Sequence, residues 1–146
     1  MNILNLSNKI LRGYISSREI GGSFYPQNLQ NLLIRSFAYD NKINLQLSGT
    51  EWNIKNSYLM LRSIIKDTND GVIFFSLFQL LENEKNFLNF SKEILNKKKI
   101  LVFCLENIVV SDFSQAKLII KKLKVDSFSR LKNYHINFNS LKKLKN

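Results

Sequence analysis

Hydrophobic positions along this chain fall into two alternating rhythms. Four short runs are apolar and rich in β-branched or aromatic residues: LRGYIS (11–16), INLQLS (43–48), GVIFFS (71–76) and ILVFCLE (100–106). The last two are nearly unbroken hydrophobes, the pattern of strands covered on both faces. Between the runs, apolar residues recur at three- and four-residue steps and predict helices. Pro26 suits the first turn of helix one, because its fixed φ is preorganised and its missing N–H has no helical partner there. Leu29, Leu32, Leu33 and Phe37 supply that helix's inward stripe. Ser57 can cap helix two, whose inward residues are Leu59, Leu61, Ile64 and Ile65. Helix three, roughly 84–98, buries Phe87, Ile94 and Leu95 and ends in three lysines, favourable at the negative end of its dipole. Ser111 and Asp112 can start helix four, with Phe113, Ala116, Ile119, Ile120 and Leu123 along one side.

Strict alternation of β and α elements implies parallel strands joined by right-handed crossovers. The expected fold is a single three-layer α/β domain over 1–125, with a four-stranded, mostly parallel sheet in the order 2-1-3-4 and helices on both faces. No internal repeat and no Gly/Pro-rich linker divides it. From 126 to 146 the pattern changes to a lysine-rich amphipathic tail, in which Phe128, Leu131, Tyr134, Phe138, Leu141 and Leu144 recur at three- and four-residue steps. Such a tail docks on its own domain or on a protein partner, or seeks a membrane surface. Docking is the stronger reading, since Asn133, Asn137 and Asn139 weaken an autonomous helix.

Charge changes the picture only after it is located. The formal net charge is +11, but residues 117–146 hold nine Lys/Arg against the single acid Asp126, a balance of +8. The preceding 116 residues hold thirteen against ten, only +3. With 17 Lys, five Arg, 19 Asn and 16 Ile, the composition also fits A/T-rich codon usage. Nucleic-acid recognition leans on Arg for bidentate contacts, so nucleic acid ranks low among the expected partners. The opening MNILNLSNKIL shows no signal-peptide pattern. The most apolar segment, VIFFSLFQLL (72–81), is ten residues long, about half a bilayer span. A soluble, cytoplasmic protein is expected.

The inventory of reactive groups is short. Cys104 is the only cysteine, which excludes an internal disulfide and a cysteine-based zinc site. Within ILVFCLE it reads as a small buried core residue. His135, the only histidine, lies in the tail, so a Ser-His-Asp triad in the core is excluded; no metal site and no cofactor are expected. Ligands of open parallel sheets bind beyond the C-terminal ends of the strands, and that rule collects a definite set. Strand one ends in Ser16, Ser17 and Arg18, strand two in Ser48, Gly49, Thr50 and Glu51. Strand three ends in Ser76 with Gln79 after it, and strand four in Glu106 and Asn107. Gln27 and Gln30 open helix one toward the same edge, one turn apart. An arginine, several hydroxyls, paired amides and two carboxylates suit a small polar ligand such as a sugar or nucleotide-sugar. Arg18, read as an exposed strand-end residue, would hold a phosphate or carboxylate, Gln27 and Gln30 would hold hydroxyls, and Glu51 is the best acid/base candidate. The glycine pair in REIGGSFYP lacks the lysine of a P-loop.

Two family resemblances overlie these residues. RGYISS, the amides of the following helix, the Ser-Gly after the second run and Asp70-Gly71 before the third resemble the catalytic domain of serine recombinases of the resolvase type. The likeness implies the same fold. Its chemistry departs: Ser16 stands where that family's motif places an arginine just before the nucleophile, and Phe78-Gln79 replace the Asp-Arg pair after strand three. An attacked phosphodiester needs concentrated positive charge, so DNA cleavage is not expected. RGYISSR (12–18), PQNLQNLLIR (26–35), SGTEWNIKNSYLML (48–61) and DGVIFFSLFQL (70–80), which span about residues 11–110, also resemble the sporadic carbohydrate cluster proteins of surface-polysaccharide gene clusters. Members of that family continue the last motif with proline, where this chain has Leu81. The resemblance implies surface-glycan or nucleotide-sugar metabolism without defining a reaction. The leading expectation is therefore a protein of surface-polysaccharide biosynthesis that binds or modifies a sugar or nucleotide-sugar. The alternatives are a nucleic-acid-binding protein on a catalytically degenerate resolvase-like fold, and a non-catalytic scaffold for a glycosyltransferase.

Overall fold

The structure, a computed structural model, describes residues 5–54 and 57–125. Its sheet has five strands: β1 Ile10–Ser16, β2 Asn44–Glu51, β3 Gly71–Phe74, β4 Ile100–Phe103 and β5 Ile108–Val110. Their order is β2-β1-β3-β4-β5. The first four are parallel in the expected order, because helical crossovers connect β1 to β2, β2 to β3 and β3 to β4. The fifth is an addition. Ile108-Val109-Val110 returns antiparallel along β4 through the four-residue turn 104–107, in which Asn107 takes a left-handed φ of 55°, a conformation asparagine tolerates. The expected fourth run therefore stops at Phe103, and its last three residues are turn.

The helices are α1 Gln27–Asp40, α2 Leu59–Asp67, α3 Glu84–Asn96 and α4, covering 113–125. On one sheet face Ile34 and Ala38 of α1 pack with Leu11, Ile15, Ile73 and Val102. On the other, Tyr14 meets Phe74 edge-on at 5.5 Å, Phe74 stacks on Phe103 at 5.1 Å, and Phe87 of α3 closes the layer. Gly49 lets α2 approach β2, since a Cβ there would stand 2.7 Å from Ile64 and Met60. The described residues form two compact units, the first ending at Phe113 and the second beginning at Ser114. The tail expected over 126–146, with His135, lies outside the described residues.

Three helix details differ from expectation. The buried stripe of α1 is Gln30, Ile34 and Ala38, flanked by half-buried Leu33 and Phe37, while Leu29 and Leu32 face solvent. The helix is turned by about one residue because the Gln30 amide is bound to the end of β1. Leu59 is likewise exposed, and α2 is not capped by Ser57. Of the three lysines after α3, Lys99 serves another helix: its ammonium donates to the carbonyls of Thr68 and Ile65 at the C-terminus of α2. In α4 the expected stripe holds, with Ala116 and Ile120 buried and Phe113, Ile119 and Leu123 half-buried.

Candidate functional site

Loops leaving β1, β2, β3 and β4 are stitched together by hydrogen bonds at one edge of the sheet, and most of the predicted site residues lie in the stitching. Gln30 is the centre of one cluster. Its Oε1 accepts the Ser16 N–H at 3.0 Å, and its Nε2 donates to the carbonyls of Ser16 (2.8 Å) and Tyr25 (2.9 Å). The side-chain amide thus acts as one more paired strand residue at the end of β1. Gln79 sits beside it, accepting the Ser76 N–H at 3.2 Å through Oε1. Its Nε2 donates to Tyr14 O, Ser16 Oγ and Gln30 Oε1 at 3.3–3.5 Å. Ser76 caps the 3₁₀ turn Leu77–Gln79, its Oγ accepting from Phe78 N and donating to Glu106 at 2.7 Å. The second Glu106 oxygen takes the Leu77 N–H at 3.0 Å. Glu106 therefore belongs to the β4–β5 turn and reaches back to hold the loop after β3.

The second cluster is charged. Glu51, the last residue of β2, is buried, and its carboxylate lies at the N-terminus of α2. It accepts from Leu61 N (3.1 Å), Met60 N (3.4 Å), the Ser57 hydroxyl (3.5 Å) and the Tyr14 hydroxyl (3.3 Å). The two amides are orphan donors of the kind that open any helix, so Glu51 supplies the cap expected from Ser57. The acid/base candidate carries a folding task. Tyr14 in turn accepts from Arg18 Nη2 at 2.9 Å. Arg18 is only 7% exposed, not the open strand-end residue expected. Its guanidinium lies 4.5 Å from the Tyr58 ring centroid, and its Nε, 3.9 Å from Glu82, has no hydrogen-bond partner. Glu82 also accepts from the Tyr58 hydroxyl at 3.1 Å.

Burial raises the Tyr14 phenol well above its ordinary range, with Arg18 pulling it partly back. Tyr58 is raised by burial and then by Glu82. Burial works against the charge of Arg18, yet Tyr14 and Glu82 outweigh it and the guanidinium titrates above its usual value. Burial, with Glu106 adding to it, pushes the Cys104 thiol up to about 12, which leaves it inert.

Not every predicted residue joins these clusters. Ser48 lies inside β2, at a bulge where β2 advances three residues against two on β1, and faces Gly13, where a Cβ would collide with it. Gln27, half-buried in the first turn of α1, stands outside both networks. Ser17 is half-buried, its N–H and hydroxyl both donating to the Glu51 carbonyl at 3.0 and 3.3 Å. Three participants were missed: Tyr14, Tyr58 and Glu82. Tyr14 was legible only as a strand residue, and the other two as helix-flanking ones, because their roles depend on which strands become neighbours.

Chemically the arrangement is a set of caps and bridges in which Arg18 Nε alone of the buried side-chain polar atoms of the two clusters lacks a hydrogen-bond partner. Ser16 is fully buried, its Oγ accepting from an amide. The serine hydrogen-bonded to a carboxylate at 2.7 Å is Ser76, also buried. Nucleophilic attack needs an accessible hydroxyl beside a base, and neither serine supplies both. Among the described residues no cluster of His, Cys, Asp and Glu could hold a metal ion, and no helix is long and apolar enough to cross a membrane.

No protein-family model and no curated protein matches the chain. The resemblance to the sporadic carbohydrate cluster proteins thus rests on the sequence motifs alone. Among solved structures, a resolvase family site-specific recombinase from Streptococcus pneumoniae is similar, with a TM-score of 0.53 and 17% identity over 93% of this chain and 99% of that one. At that identity the likeness is one of fold: this chain has a resolvase-like α/β fold.

Proposed function

We infer that this protein is a non-cleaving nucleic-acid-binding protein on a resolvase-like fold. The observation that carries the reading is the pairing of that fold with a balance of +8 concentrated in residues 117–146. Within the described part of that stretch, Lys117, Lys121, Lys122 and Lys124 are exposed on α4. Lysines act on the phosphate backbone as point charges, which favours binding with little sequence preference. The edge where a recombinase-like nucleophile would stand supports the non-cleaving half of the reading. Ser17, at the nucleophile's position, donates its hydroxyl to the Glu51 carbonyl rather than to a base, Ser16 replaces the arginine before it, and Arg18 is enclosed by Tyr14, Tyr58 and Glu82.

Fluorescence anisotropy with a labelled random duplex tests it. Neutralising about five phosphates gives a log–log salt slope of about −4 to −5 and a loss on the order of several hundred-fold between 50 and 200 mM salt. No covalent adduct through Ser16 or Ser17 is expected on any substrate. Absent or salt-insensitive binding, together with a melting shift on adding a nucleotide-sugar, would overturn the reading in favour of glycan metabolism.

A further inference from the structure

The same sheet edge that hides its polar groups exposes its apolar ones. In the first unit Phe24, Trp52, Ile54, Phe78 and Leu105 all stand on connections leaving the C-terminal ends of strands, and all are exposed; Phe24 and Trp52 are 70% and 69% accessible. Hydrogen bonds make these connections neighbours: Ser17 to Glu51, Gln79 to Ser16, Glu106 to Ser76 and Leu77, and Leu105 N to Phe75 O. Single exposed hydrophobes are ordinary on any surface, whereas several on one edge mark an interaction site.

Charge on this edge runs against the rest of the chain. In a protein of +11, these connections carry Glu19, Glu82 and Glu106 against two basic residues, Arg18, which is buried, and Lys55, which lies outside the described residues. Glu19 and Glu82 line a cleft of about 300 Å³ together with Phe78, Leu81, Gly21 and Gly22. Gly21, with φ 57°, lets its loop lie on the Phe78 ring. An edge of carboxylates and bare aromatic rings repels a phosphate backbone. It attracts a cation carried on an apolar support, through Coulomb complementarity and cation–π contact.

We propose that this edge is a docking surface for a basic amphipathic helix of a partner protein, with a lysine or arginine entering the Glu19–Glu82 cleft and apolar residues covering Phe78, Phe24 and Trp52. The site uses no residue of the basic C-terminal stretch and does not depend on the nucleic-acid reading. A protein with both would join a nucleic acid to a protein partner.

Trp52 is the sole tryptophan, so its emission reports occupancy of this edge directly. The full chain is titrated at 150 mM salt with an 18-residue leucine–lysine peptide patterned as an amphipathic helix, and with a scrambled peptide of the same composition. The patterned peptide is expected to shift Trp52 emission to the blue with micromolar affinity, and the scrambled one to bind at least tenfold more weakly. Phe78→Ser, and separately the exposed-surface double change Glu19→Gln with Glu82→Gln, are each expected to weaken binding at least tenfold. Tyr39→Ser, at the far end of α1, leaves it unchanged. Random duplex DNA is expected to leave Trp52 emission where it is, so this proposal and the nucleic-acid reading fail separately. Equal binding of both peptides, insensitivity to both edge variants, or self-association of the unliganded chain that Phe78→Ser abolishes would overturn the proposal, the last by assigning the edge to a second copy.

Discussion

Two polar clusters lie side by side at the C-terminal edge of the sheet, and they are built on opposite plans. The amide cluster of Gln30, Gln79 and Ser16 is neutral, and each of its side chains bonds to backbone or to a fellow member. The charged cluster of Glu51, Tyr14, Arg18, Tyr58 and Glu82 is only half closed. Its inner end is tied to the N-terminus of α2, while its outer end leaves Arg18 Nε unpartnered and Glu82 part-exposed beside a cleft. Buried neutral amides are costly only when unpaired, so a saturated amide cluster cements the loops. A buried charge held by incomplete partners contributes less to stability, because desolvation offsets much of its attraction. The cluster without charge should therefore be the stronger structural element.

That contrast breaks most visibly at Gln30. Gln30→Leu removes four hydrogen bonds and leaves buried Ser16 groups unpaired, for an expected loss of about 3 kcal/mol and a fall in Tm on the order of 10 °C, readable by calorimetry. A fall of a degree or two would mean that the amide is not the cement of this edge. Next in size is Glu51→Gln, which sets an NH2 group against either the Leu61 or the Met60 donor, since the two bond to different carboxylate oxygens. It should cost about 2 kcal/mol and speed hydrogen exchange in the first turn of α2, whereas uniform exchange changes would place the effect elsewhere. The smallest effect is expected for Arg18→Met, which keeps the stem and deletes the charge: about 1 kcal/mol or less, measured by urea unfolding. A loss larger than that of Gln30→Leu would invert the comparison and make the arginine the anchor.

Much of the fold was legible because it depends on local periodicity. The alternation of LRGYIS, INLQLS, GVIFFS and ILVFCLE with helical patterns led to four parallel strands in the observed order, and the stripe on α4 was read residue by residue. The β5 strand escaped notice because three residues are too few to show a period, and only the turn at Asn107 makes them a strand. Site residues were legible as a group and misread in direction. Strand-end rules brought Ser16, Arg18, Gln30, Glu51, Ser76, Gln79 and Glu106 to one edge, where they do lie, but periodicity carries no information on whether a polar side chain faces water or a neighbouring loop.

By itself, then, the sequence determined the alternation of elements, the sheet order of the parallel strands, the absence of a core histidine and the concentration of positive charge after residue 116, because each of these is set by residue type and spacing along the chain. Tertiary structure alone decided that Gln30 rather than Leu29 turns inward, that Glu51 caps a helix beginning eight residues further on, that Lys99 serves α2, and that the strand-end edge is polar within and aromatic without. Each of those outcomes depends on a partner distant in sequence. Buried donors and acceptors must be paired, and which ones find each other is settled only when the strands have taken their places.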